Sequence, residues 1–72
     1  MKGGFVEMGK FKVEKASPEP LERSRVLIKE VFKGGEEKTV AAFSALKTSR
    51  KVVVEEYGKF PLKARIEAFD KL

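Results

Sequence analysis

Seventy-two residues make one domain with one small core, because a chain of this size buries only about 60–65% of the surface it exposes when unfolded. Apolar residues make up 42% and charged residues 38%, and the net charge is +5, a balance that excludes a disordered tail. Cys, His, Trp, Asn and Gln are absent, which excludes a disulfide framework, a thiolate centre and a transition-metal site of ordinary composition.

Ten of the eleven acids are Glu, and a Lys- and Glu-rich chain poor in heat-labile side chains fits a thermophilic origin. No apolar run has the length of a membrane span and the start lacks a signal-peptide core, so the expected location is the cytoplasm, with no membrane partner. The domain is expected to cover 1–72, with residues 1–4 frayed and Met8 as an alternative start. A pI near 9.6 is compatible with nucleic acid or with an acidic protein surface.

Lys10 to Lys15 alternates cleanly, which predicts a half-buried strand over 10–15 with Phe11 and Val13 inward. Phe5, Val6 and Met8 either extend it across Gly9 or form a short strand of their own.

Ser17-Pro18-Glu19-Pro20-Leu21 follows. Ser17 is a preferred N-cap and Pro18 suits the first helical position. A helix is therefore expected over 18–32, ended by Gly34-Gly35. Leu21, Ser24, Leu27, Ile28 and Val31 lie on one face of it and Glu22, Arg23, Arg25, Lys29 and Lys33 largely on the other, with Val26 as the misfit.

Residues 37–44 divide between helix, favoured by Ala41, Ala42, Ala45 and Leu46, and strand, favoured by Thr39, Val40 and Phe43. Thr48 or Ser49 caps an expected helix over 50–59, with a Val53, Val54, Tyr57 and Phe60 stripe ended by Pro61; three consecutive valines and Gly58 argue for a strand instead. Leu62, Ala64, Ile66 and Ala68 alternate with polar neighbours, predicting a strand over 62–68, although Leu62, Ile66, Phe69 and Leu72 suit a helix. Six phenylalanines and Tyr57 are read as core.

The stretch from Ser17 to Arg25 resembles the Cys-Pro-x-Pro helix start of the TusA-like (SirA) sulfur-carrier family, with Ser17 where that family has cysteine. Lys33 to Val40 is similar to the family's glycine turn and second strand. The resemblance implies a strand at 37–44 and an α/β two-layer β-α-β-α-β sandwich with two helices on one face of a small sheet, the chain stopping at Leu72 before the family's last strand. It also implies a role in sulfur relay or partner docking centred on Ser17, Pro18, Glu19 and Pro20.

Serine cannot form a persulfide, and no histidine activates it. The expected role of Ser17 is therefore a cap, and no catalytic residue, metal or cofactor is expected. Glu36-Glu37 and Glu55-Glu56 are adjacent pairs that do not converge on one point. The function expected is a small non-catalytic carrier or interaction module.

Two alternatives stand beside it. Arg23, Arg25, Lys29 and Lys33, near Lys10, Lys12 and Lys15, form a candidate basic patch for DNA or RNA, and Lys47, Arg50 and Lys51 form a second cluster with anion-binding character. A structural subunit is the other: the 62–68 strand would expose an edge, giving a homodimer or a protein partner by strand addition, unless Phe5 to Met8 folds over it.

Overall fold

A computed structural model describes residues 10–72; the expectations for residues 1–4, for Phe5 to Met8 and for a start at Met8 lie outside these. The described chain is a four-strand antiparallel meander, β1 (Lys10–Ala16), β2 (Glu22–Val31), β3 (Glu37–Leu46) and β4 (Val52–Glu56), in that spatial order, followed by one helix, α1 (Leu62–Lys71). The strands expected at 10–15 and 37–44 are present. The β-α-β-α-β sandwich is not: the segments 18–32 and 50–59 hold strands where helices were expected, and 62–68 lies in a helix where a strand was expected.

Each reversal has a local cause. In β2 the misfit of the helical stripe decides the matter, because Val26 and Ile28, two residues apart, are both fully buried, and Ser24 joins them on the same face. Burying two β-branched side chains on one face of a strand contributes about 1.5–3 kcal/mol each; a helix would have turned Val26 to water.

The proline stretch serves a hairpin rather than a helix start. Glu22 N–H donates to Glu19 O at 2.8 Å, closing a β-turn with Pro20 at the position where its fixed φ is pre-set. Gly34-Gly35 likewise ends no helix. Phe32 N–H donates to Glu36 O and Gly35 N–H to Phe32 O, both at 2.8 Å, and Gly35 has φ +93°, the left-handed residue that a three-residue hairpin loop requires. In β4 the valine triplet prevails over helix propensity.

Register explains the core. Ile28 faces Ala41, but Lys29 faces Thr39, so Val40 is an extra residue in β3, a bulge. Its carbonyl accepts from Tyr57 N–H at 2.8 Å and Gly58 N–H at 3.2 Å. A Cβ on residue 58 would lie 3.2 Å from Val40 Cγ1, so glycine lets the chain leave β4 tight against this bulge.

The helix starts at Pro61, whose carbonyl accepts from Ala64 N–H at 3.0 Å. It packs chiefly on β1 and β2. Its inward side chains are small, Ala64 at 5% and Ala68 at 0% exposure, which allows a close approach to the sheet. Phe43, fully buried in β3, meets the edges of Phe69 at 5.1 Å and Phe60 at 6.4 Å between ring centroids, a favoured aromatic geometry.

Candidate interaction surface

The sequence-derived patch does not assemble. Arg23, Arg25 and Lys29 lie along β2, and Lys33 is in the turn beyond its far end. Arg23 is the extra residue where the β2–β3 register shifts between Glu22 and Ser24, and it is exposed. Arg25 Nη1 donates to Glu22 Oε2 at 2.9 Å and to Ser44 Oγ at 3.0 Å. Lys29 Nζ sits 2.9 Å from Glu14 Oε2 and 3.9 Å from Glu37 Oε1.

These side chains belong to the sheet face turned away from α1. Lys12 on β1 stands opposite Lys29 on β2, a like-charge pair that would destabilise the sheet if left alone. Glu14 and Glu37 resolve it, Lys12 Nζ lying 2.7 Å from Glu37 Oε2 and 3.6 Å from Glu14 Oε1. The hydrogen bond from Lys29 holds the Glu14 carboxyl below its usual range, and the one to Glu37 raises Lys12. The backbone N–H of Glu19, then Ser44 and Arg25, lower Glu22. The middle of this face is therefore neutralised in place, and its cations have little free charge for a phosphate backbone.

Ser17 lies in the loop between β1 and β2. The N-cap expected of it is corrected accordingly, and Pro18, Glu19 and Pro20 shape a turn rather than a site. Glu55 and Glu56 take separate partners: Glu55 accepts from Tyr57 Oη at 3.0 Å, which raises the tyrosine, and Glu56 accepts from Arg65 Nη2 at 2.7 Å. Among the described residues no three potential ligands cluster for a metal, and no helix is long and apolar enough to cross a membrane.

Large apolar side chains are left exposed instead on β4 and α1, with Val53, paired to Ser44, on the sheet face turned away from α1. Of the eight exposed large apolar side chains among the described residues, six fall between Val52 and Phe69: Val52, Val53, Tyr57, Leu62, Ile66 and Phe69. Leu62 and Ile66, one turn apart, lie on the outer side of α1, opposite its buried alanines, while Phe69, on the flank of the helix, still meets Phe43. They were legible as a helical stripe, but helical periodicity does not say whether such a stripe faces the core or water. Tyr57, read as core, is 57% exposed.

One group of cations without an ion pair among the described residues lies at the end of the sheet that holds the β1–β2 and β3–β4 loops. Lys47, Arg50 and Lys51 occupy the β3–β4 loop, Lys47 N–H donates to Leu21 O at 3.0 Å, and this joins that loop to the β1–β2 loop. Comparison of the chain with protein families, with curated proteins and with solved structures finds no match.

Proposed function

We propose that the chain is a small non-catalytic interaction module that binds protein through β4 and the outer stripe of α1. The observation that carries this reading is the pair of large apolar side chains one turn apart on the outer side of α1, Leu62 at 68% and Ile66 at 54% exposure, together with the exposed valines of the β4 edge. Monomeric proteins scatter such residues singly, whereas clustered ones mark contact surfaces. Of carrier and interaction module, the second has this support; position 17, in a strand-to-strand loop, lacks the helix terminus that would activate a sulfur nucleophile. A photo-crosslinking side chain placed in cells at position 66 or 52 should give protein adducts, and one at Lys38 should give none. Absence of adducts at 52 and 66 would overturn the reading.

A second reading has one specific support. Lys47, Arg50 and Lys51 are exposed beside the exposed Arg23, and none of the four is in an ion pair among the described residues. A nucleic acid held at this end would lose affinity with salt at a slope of roughly −0.9 per phosphate contact on duplex DNA. Fluorescence anisotropy with a labelled duplex checks it, and binding unchanged in Lys47→Glu/Arg50→Glu excludes it.

A further inference from the structure

The two edges of the sheet differ in kind. β1 carries Lys10, Lys12 and Lys15, and Lys71 Nζ from the end of α1 donates to Val13 O at 3.0 Å; lysine along an edge is a common guard against strand addition. β4 has no such guard at its centre. Its three valines run along the opposite edge of the sheet, with Val52 37% and Val53 45% exposed.

The chain through this edge is Arg50-Lys51-Val52-Val53-Val54-Glu55-Glu56, basic before the valines and acidic after them. Reversed end for end, this order is its own electrostatic complement. Centred on Val53, an antiparallel copy places Arg50 opposite Glu56 of the other chain, Lys51 opposite Glu55, and Val52 opposite Val54.

Backbone geometry permits this register. Lys51 O accepts from Leu46 N–H and Tyr57 N–H donates to Val40 O, so odd-numbered residues turn their polar backbone groups toward β3. By strand alternation Val52, Val54 and Glu56 turn theirs outward. In the Val53-centred register outward-facing residues meet each other, Val52 with Val54 and Arg50 with Glu56, so the ladder hydrogen bonds form. Centring on Val54 also satisfies the ladder, but it sets Val53 against Glu55 and Val52 against Glu56, stranding the charges beside valine. Charge selects Val53.

We infer that two copies of this chain pair antiparallel through β4 about a two-fold axis at Val53, joining two four-strand sheets into one of eight strands with both helices on the same side. The inference rests on the interaction-module reading and names its partner as a second copy. Pairing of β4 with β4 consumes that edge in both copies and, among the described residues, leaves only the lysine-guarded β1 edges outside, so assembly stops at two.

Charge reversal tests the register in the full chain. Lys51→Glu and Glu55→Lys, each alone, set like charges opposite one another twice per dimer and should weaken self-association roughly tenfold or more in sedimentation equilibrium. The double variant should recover it, and the two single variants mixed should form a heterodimer. Both positions are exposed, so the fold is kept, and circular dichroism checks that it is.

Position 53 gives an independent readout, because the sequence has no cysteine. Facing residues of a non-hydrogen-bonded pair lie about 4.5 Å apart at Cα, within disulfide range, so Val53→Cys should oxidise to a covalent dimer and Val52→Cys should do so much more slowly. A monomer at high micromolar concentration in the unmodified protein, or single variants that associate as well as the double, would overturn self-pairing. If adducts at position 66 then contain a different protein, the module reading survives its failure; if there are none, both fall.

Discussion

The reading of α1 as a helix with its small residues inward is open to a decisive pair of substitutions. Residues 66 and 68 are about 200° apart around a helix, so Ile66 and Ala68 cannot both be buried. Ala68 is 0% and Ile66 54% exposed. Ala68→Leu forces three carbons into a filled site and should cost about 1–3 kcal/mol. Ile66→Ala, which would cost about 2–5 kcal/mol in a core, should cost about 1 kcal/mol or less with half of the side chain already in water. Urea unfolding at low micromolar protein, with a slope near 1 kcal/mol per molar for so small a domain, should lower the midpoint by about 1–3 M for Ala68→Leu and by less than about 1 M for Ile66→Ala. The opposite order would mean that the helix is turned to bury Leu62 and Ile66, and the proposed contact surface on α1 would be gone.

Phe43→Ala removes a fully buried ring and two edge contacts and should cost about 3–5 kcal/mol, much of the roughly 4–11 kcal/mol expected for a domain of this length; a denaturant midpoint shifted by under about 1 M would contradict the packing. Ser24 Oγ is buried with no hydrogen-bond partner, so Ser24→Ala should stabilise by about 1 kcal/mol, raising the Tm by about 4–8 °C, and a lowered Tm would show that the hydroxyl is satisfied. Acid should weaken the fold through Glu14 and Glu22, both held below the ordinary glutamate value by their hydrogen bonds: below that ordinary value the unfolded chain takes up protons first, so their contribution is present above about pH 4.5 and lost as pH falls through the folded values. Lys12, raised above 10.5, contributes fully below that pH and loses its share as pH rises through its folded value. Thermal melts should therefore be flat from pH 6 to 8 and fall below 4.5, less steeply in Glu14→Gln; a Tm that holds steady down to pH 3 would contradict this.

Of the four strands, 10–15 was legible from its alternation and 37–44 followed only from the family resemblance, while 18–32 and 50–59 were read as helices. Proline followed by glycine fifteen residues on marks helix ends, but Pro20 and Gly35 mark hairpin turns equally well, and nothing local tells the two apart. The burial of Val26 does. A residue that breaks a proposed stripe while its neighbour at two positions, Ile28, is equally apolar signals a period of two rather than 3.6, and weighing it would have turned 18–32 into a hairpin and a strand. The valine triplet carried the same message for β4. In α1 the alternating pattern came from Ala64 and Ala68, whose small side chains fit a strand face as readily as a helix seam. Charge pairing was not legible at all, because the meeting of Lys12 with Lys29 and their neutralisation by Glu14 and Glu37 depend on cross-strand register.

The path of α1 ties these features together. Leaving β4 at the Val40 bulge, the chain crosses the sheet so that Arg65 pairs with Glu56 near the start of the helix and Lys71 reaches Val13 on β1 at its end. One ten-residue helix thus covers the β1–β2 half of the core and adds a cation to the β1 edge. A helix this short does not reach across β4: Phe60 and Phe69 extend as far as Phe43 of β3. The same crossing that protects one edge leaves the valines of the other exposed. The strand left uncovered is the one whose flanking charges, Arg50-Lys51 before the valines and Glu55-Glu56 after them, match their own reversal, so the fold directs association to a single closed pairing rather than to an open stack of sheets.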